Sequence, residues 1–457
     1  MWMKPSRRRS KNCKELEVLS NEENDLLCRV GPGTPMGDLM RQYWLPAFMS
    51  NELDVPDGPP LRVRLLGEDL IAFRTSSGKL GLIQNACPHR GASMFFGRNE
   101  EDGLRCVYHG WKFDGSGACV DMPSEPAESN FKSKVRTRAY QTAERGGMVW
   151  AYMGPREIPP ELPQLEQNML PEGQFSIRSI QRECNWMQAL EGDIDTTHLG
   201  FLHLGAIPPV DATPQTFSYY NVADRAPKHS VVDTDFGAMY AAYRPAEPDT
   251  TYWRIANFLF PFYTMTPVGV LGLGGSVRCW VPLDDDHTMF FMFSGAGNPG
   301  ANLSPERRAA FNMGSMKENT TEALGRWRMT ADAESDYQID RESQKKDSYT
   351  GISGIHLQDQ AITESMGHIY DRSHEHLATS DSMIIRSRRR LIDAAKALRD
   401  HGEIPPGVDN PEVYAVRTGG VILPRNADWI EATSELRKAF LVHPELTPAI
   451  LGNVPGA

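Results

Sequence analysis

Four residues constrain this chain more than any others. They are Cys87 and His89 in Cys87-Pro88-His89-Arg90-Gly91, and Cys106 and His109 in Cys106-Val107-Tyr108-His109-Gly110. The halves read Cys-x-His and Cys-x-x-His with sixteen residues between them. Two thiolates and two imidazoles on two short loops can hold two iron atoms. The sulfurs take one iron and the imidazoles the other, which raises the reduction potential of a [2Fe–2S] cluster. Pro88 and the nearby glycines suit tight loops that bring backbone N–H groups close to sulfur. A zinc ribbon built on the same four residues is the alternative, but zinc sites pair their ligands as C-x₂₋₄-C or H-x₃₋₅-H. The mixed halves point to iron and sulfur. Cys13, Cys28, Cys119, Cys184 and Cys279 lack partners at ligand spacing and read as ordinary thiols.

A cluster of this kind only moves electrons, so a receiver is expected downstream. The stretch Asn185 to His203 reads as a helix and carries Asp195, His198 and His203. Positions three apart share a helix face, so Asp195 and His198 lie together. A break near Gly200 lets His203 turn toward the same point. Two His with one carboxylate form a facial triad for Fe(II) that leaves positions open for O₂. Asp195 as a ligand would crowd the helix. The segment Gln358-Asp359-Gln360-Ala361-Ile362-Thr363-Glu364 supplies Asp359, with Glu364 as the other candidate.

The rest of the chain frames these sites. At 457 residues it is too long for one ordinary core. Residues 1–20 read as a frayed tail with the basic run Arg7-Arg8-Arg9, and 21–45 as two helices, Asn21–Val30 and Pro35–Tyr43. Short strands with Gly-rich turns make 46–155 a small β domain, including Leu80–Gln84, Val107-Tyr108 and Met148–Tyr152. Prolines mark 155–171 as a linker. Residues from 156 to 457 form a larger domain of strands and late helices. Met383–Leu398 carries Ile384, Ile385, Leu391, Ile392, Ala395 and Leu398 on one face, with most of its arginines elsewhere. The net charge of −11 argues against nucleic acid, which wants a basic face. No apolar run reaches the ~18 residues of a membrane span. No export signal is seen, and the thiols suit a reducing cytoplasm.

On these motifs the chain resembles the Rieske non-heme iron aromatic ring-hydroxylating oxygenases. The matching features are the two cluster halves and Asp195-x-x-His198-x-x-x-x-His203. The stretches around Gly31-Pro32-Gly33-Thr34-Pro35-Met36-Gly37, Phe96-Gly97-Arg98-Asn99-Glu100 and Gln358-Asp359 are similar to the phthalate dioxygenase branch. The resemblance implies an α+β chain: an N-terminal Rieske β-sandwich, then a helix-grip catalytic domain with an antiparallel sheet. It implies a head-to-tail homotrimer, sometimes stacked into a hexamer, with Asp195 bridging His109 of one subunit to His198 of the next. It also implies a separate flavin and iron–sulfur reductase that supplies electrons from NAD(P)H. A ring substrate then gives a cis-diol, whereas a methoxy or N-alkyl substrate loses formaldehyde. Dihydroxylation of an aromatic carboxylate and O- or N-demethylation share every motif. Carboxylated rings need a cation in an apolar pocket. Arg254, in Tyr252-Trp253-Arg254-Ile255, is the first candidate and Arg244 the second.

Overall fold

The computed structural model describes residues 18–126, 128–206, 217–295, 314–318, 320 and 322–443. The Arg7–Arg9 run, Cys13 and most of the expected tail lie outside them. The chain enters through a helix, Asn21–Cys28, whose N-cap Ser20 accepts from the Glu23 N–H at 3.2 Å. A second helix, Pro35–Met40, starts on Thr34 with proline in its first turn. It stops short of the expected Tyr43 because Trp44–Met49 is drawn into a sheet, antiparallel to Met148–Tyr152.

That sheet has three strands, with Gln141–Arg145 outermost. A second three-stranded sheet joins Leu61–Leu65, Glu68–Arg74 and Leu80–Gln84. Its first hairpin closes on Leu66-Gly67, both at positive φ (47° and 78°), the twist a two-residue turn requires. A third sheet of four very short strands follows: Arg98–Glu100, Gly103–Arg105, Lys112–Phe113 and Cys119–Asp121. Val107 and Tyr108 are not in a strand. They form an exposed turn, held open by Gly110 at φ 77°, whose N–H donates to the Cys106 carbonyl. Cys87 and Cys106 sit over a small core of their own that includes Ile71, Phe73, Ile83, Met94, Leu104, Trp111 and Phe113.

The expected linker is packed. Leu165 to Asn168 are buried, Arg417 donates to Glu166 at 2.8 Å and Arg145 to Asn168 at 2.8 Å. Its prolines stiffen a strap that both halves of the chain hold. Beyond it lies an eight-stranded antiparallel sheet. The order runs Phe175–Arg182, Thr288–Gly295, Ser276–Pro282, Tyr263–Met265, Thr250–Leu259, Gly237–Pro245, Lys228–Thr234, with Gly419–Pro424 also pairing to Thr250–Leu259. Trp150 stacks on Phe293, so the first sheet and the large sheet share one core.

The Ser382–His401 helix ends on Gly402 in the left-handed region. Its buried face holds Met383, Leu391, Ile392 and Ala395, but also Arg388, one of the arginines of which the apolar pattern placed most elsewhere. Arg388 is admitted because it meets two buried carboxylates, Glu191 and Glu375. Antiparallel sheets with segregated helices make the chain α+β, as the sequence indicated. Among the described residues, no helix is long and apolar enough to cross a membrane.

Candidate functional site: two metal centres

The first site is built from two loops of the same design. Cys87 follows the strand Leu80–Gln84, and its N–H donates to the Ala92 carbonyl at 2.8 Å. Cys106 follows Gly103–Arg105 and donates to the Trp111 carbonyl at 2.8 Å. In each loop a glycine four residues on closes back onto the cysteine carbonyl: Gly91 at φ 75° and Gly110 at φ 77°. The loops bring the His89 and His109 rings to 4.4 Å between centroids, and His89 stacks on Trp111 at 4.3 Å. Both cysteines are buried. Burial pushes the Cys87 thiol up to about 11, with the His89 N–H acting against the rise and the Cys106 sulfur adding to it.

These residues fit an iron–sulfur cluster on two observations. The Nδ1 atom of His109 is buried with no hydrogen-bond partner, as a metal-ligating nitrogen is in the absence of its metal. The four residues also do not converge on one point. Among the described residues, His198, His203 and Asp359 are the one group of three or more whose ligand atoms lie within 4.8 Å of one another. A tetrahedral zinc would hold all four of its ligand atoms within about 4 Å. Two irons with two protein ligands each require no such crowding.

The second site starts where the Trp186–Ile194 helix ends. The break comes at Asp195, earlier than the expected Gly200. Asp195 is extended, and its carboxylate accepts from the N–H groups of Thr197 (2.7 Å) and His198 (3.2 Å). This short-range bonding competes with the helix and ends it. Asp195 and His198 therefore meet through a turn, and not by sharing a helix face. The same carboxylate lies 3.5 Å from His198 Nδ1. His203 follows a short helical turn at His198–Gly200 and is fully buried. The Ile355–Ser365 helix brings in Asp359 from the far end of the chain.

Three ligand atoms converge. His198 Nε2 and His203 Nε2 are 3.2 Å apart, and Asp359 Oδ1 lies 3.2 Å from His203 Nε2 and 3.7 Å from His198 Nε2. One face of an octahedron with metal bonds near 2.1 Å has edges of about 3 Å. The proton positions are set from behind. Gln358 Nε2 donates to the Ile352 carbonyl at 2.8 Å, so its Oε1, 2.7 Å from His203 Nδ1, must accept from that nitrogen. Asp195 imposes the same tautomer on His198. Both Nε2 lone pairs then face Asp359 with no proton between them, an arrangement that a cation completes. Glu364, the other carboxylate considered, is engaged elsewhere: it accepts from the Glu183 N–H at 2.8 Å and the Tyr337 hydroxyl at 2.6 Å.

The sheet carries the candidate substrate arginines. Register pairs Arg254 with Ala242, Arg244 with Tyr252 and Ala256 with Tyr240, so Arg244, Arg254, Tyr240 and Tyr252 share one face. Thr264 and Arg278, on the same face, bind Asp193 of the helix that leads to Asp195. The arginines therefore lie on the side the metal ligands occupy. Arg254 Nε donates to Thr196 Oγ1 at 3.3 Å. Arg244 is buried, with Nε bound to the Asp224 carbonyl at 2.7 Å and Nη1 without a partner. Burial and the charge of Arg254 push its guanidinium down to about 10. Sequence reasoning assigned no role to Gln358, Thr196 or the Asp193–Arg278 pair. Only the position of Gln358 beside Asp359 hinted at one.

Comparison with known proteins agrees with this geometry. Residues 43–140 match the Rieske [2Fe-2S] domain family model, and residues 151–446 match the model described as LigXa C-terminal domain like. The chain is 47% identical over 430 residues to the 3-chlorobenzoate-3,4-dioxygenase oxygenase subunit of Comamonas testosteroni, covering 92% of this chain and 99% of that one. It is 38% identical over 421 residues to the phthalate 4,5-dioxygenase oxygenase subunit of Pseudomonas putida, covering 90% and 94%. Among solved structures, dicamba monooxygenase bound to dicamba shares the fold, with a TM-score of 0.53 at 17% identity over 79% of this chain and 98% of that one. With a cluster-type pair of loops, a two-His-one-carboxylate group and full-length relatives of one kind, the chain belongs to the Rieske oxygenases. It is an oxygenase alpha subunit, of the kind that carries a [2Fe–2S] cluster and a mononuclear iron and reacts with O₂.

Proposed function

We propose that this chain dihydroxylates an aromatic carboxylate such as a benzoate or phthalate. In this reading Cys87, Cys106, His89 and His109 hold the cluster, and His198, His203 and Asp359 hold the mononuclear iron. The observation that carries the substrate class is the arginine pair: Arg244 and Arg254 share a sheet face, and Arg244 keeps a buried Nη1 with no partner. Two neighbouring cations, one of them with an unspent donor in a dry place, favour an anion. Tyr240 and Tyr252, both buried, share that face. When bound, the metals supply electron storage and oxygen activation. The protein's own part is to hold the imidazole protons at Nδ1, anchor the carboxylate and orient the ring.

The test is product analysis. With a reductase, NADH and O₂, the protein is expected to convert 3-chlorobenzoate or phthalate to a cis-dihydrodiol. Formaldehyde from a methoxylated acid, with no diol from either acid, would move the assignment to the O- or N-demethylases. Arg244→Gln should lower kcat/KM for the acid by roughly 30- to 1,000-fold, the cost of removing one partner of a buried charge pair.

Electrons are taken to come from a separate flavin and iron–sulfur reductase using NAD(P)H. Asp195 is read as the bridge to a neighbouring subunit's cluster in a trimer or stacked hexamer. The side chains of Asp195 and His198 are about a fifth exposed (22% and 20%), whereas His203 is closed off at 1%. Exposed Val107 and Tyr108 flank His109, and exposed Phe201 and Tyr349 lie beyond His198, which suits a contact between copies. Light scattering should find a trimer or a multiple of it. Asp195→Asn should slow single-turnover oxidation of the reduced cluster, and an unchanged rate would remove the bridge. The free thiols Cys28, Cys119, Cys184 and Cys279 fit a cytoplasmic setting.

A further inference from the structure

We propose that Thr196 is a positioning residue that ties carboxylate recognition at Arg254 to the placement of His198. The inference rests on the aromatic-carboxylate reading above. Thr196 occupies the turn between the Asp195 carboxylate and His198 and is buried at 4% exposure. Its hydroxyl accepts from Arg254 Nε at 3.3 Å. On either side of it, Asp195 accepts from the N–H groups of Thr197 and His198 and faces His198 Nδ1 at 3.5 Å.

The turn is thus held from two directions: by Asp195 from within, and by a strand arginine from across the site. The bond to Thr196 uses Nε of Arg254, and the Nη side of the guanidinium is where a carboxylate would be met. An anion that draws the guanidinium into its bidentate geometry must also move or tighten the Nε–H on Thr196. The Asp195–His198 turn has no helix to hold it rigid, because the Trp186–Ile194 helix has already ended. A displacement at Thr196 therefore reaches His198 through two peptide units and one capping carboxylate. A substrate without the carboxylate lacks this handle and leaves His198 where it stood.

The experiment uses the full chain loaded with Co(II) at the mononuclear site, kept anaerobic and titrated with 3-chlorobenzoate and with phthalate. Calorimetry reads binding, and the Co(II) ligand-field absorption reads the metal's surroundings. In the wild type the acid should bind and shift the band. Thr196→Val should bind the acid within about 3-fold of wild type, since the one long hydrogen bond lost lies away from the carboxylate, while losing most of the shift. Thr196→Ser, which keeps the acceptor, should restore it. Arg254→Lys keeps a charge but has no Nε–H in the fork, so it should bind more weakly and show no shift. It decides the question if the valine variant does not fold. In turnover, Thr196→Val should release less product per O₂ consumed, through kcat more than KM. A full spectral shift in Thr196→Val or Arg254→Lys overturns the proposal. If neither acid binds the wild type, the substrate reading itself fails, and that outcome is distinct from the loss of the shift alone.

Discussion

Replacing Gln358 by leucine should release the mononuclear metal while sparing the cluster. Gln358 is fully buried, and its two ends do different work: Oε1 accepts from His203 Nδ1 at 2.7 Å, and Nε2 donates to the Ile352 carbonyl at 2.8 Å. Leucine fills similar volume but leaves a buried N–H and a buried C=O unpaired, at about 1–3 kcal/mol each. It also frees the His203 tautomer, so that part of the population turns a protonated Nε2 toward the metal position. Loss of an outer hydrogen bond of this kind costs 10- to 100-fold in metal affinity, or about 1.4–2.7 kcal/mol. The assay is Fe(II) affinity by competition with a colorimetric chelator, with the cluster irons as an internal standard. Gln358→Glu separates the two roles. It keeps an acceptor for Nδ1 but cannot donate to Ile352, so it should bind iron within a few-fold of wild type while melting earlier. Wild-type iron affinity in Gln358→Leu would refute the argument that Gln358 fixes the tautomer.

Other consequences follow from single contacts. Cys87→Ser should abolish the visible absorption and the low-temperature EPR signal of the reduced cluster. It should leave Fe(II) binding at the second site intact, because the two ligand sets share no residue. His287 lies between Asp284 (2.8 Å) and Glu183 (3.3 Å); burial lowers its pKa, but the carboxylates outweigh burial and raise it to about 9. A folded pKa above the unfolded value of 6.5 stabilises fully below pH 6.5 and is lost as pH rises through about 9. Denaturation midpoints should therefore fall across that window by the equivalent of about 3 kcal/mol, and His287→Gln should flatten the fall. Arg372, fully buried, binds Glu191 at 2.9 Å, Asn24 at 3.1 Å and the Cys28 sulfur at 3.2 Å. Arg372→Met should cost about 3–5 kcal/mol in thermal or urea unfolding, as breaking one side of a buried pair does. An unchanged midpoint would mean that Arg388 alone satisfies Glu191.

What the sequence disclosed depends on how local the physics was. The two loops that carry Cys87, His89, Cys106 and His109 were legible because each is a five-residue turn closed by its own glycine, so spacing and geometry are nearly the same statement. The strands Leu80–Gln84 and Met148–Tyr152 were read to the residue because their apolar runs end in turns. Val107-Tyr108 was misread for the opposite reason. Two β-prone residues inside a metal loop look like a strand, and only the closure from Gly110 to Cys106 shows otherwise. The helix break at Asp195 was placed at Gly200, since glycine is the louder signal and an Asp that accepts from the N–H groups two and three residues on leaves none. Arg388 on an apolar face and the buried stretch Leu165–Asn168 were hidden for a third reason. Two of the partners, Glu191 for Arg388 and Arg417 for Glu166, lie about 200 residues or more away in the chain.

The second site joins these cases into one consequence. His198 and His203 come from a segment that has just stopped being a helix, and Asp359 comes from a helix more than 150 residues later. The Glu191–Arg372–Arg388 cluster anchors the Trp186–Ile194 helix one turn before the break, and Gln358 anchors the far helix beside Asp359. Between those anchors, with both imidazoles neutral and protonated at Nδ1, two Nε2 lone pairs and a carboxylate oxygen face one another at 3.2–3.7 Å. Such a contact is repulsive between the acceptors until a cation enters. A metal there closes a joint that the rest of the fold holds ready from both sides, and the iron is then as much a part of the packing at this end of the domain as it is of the chemistry.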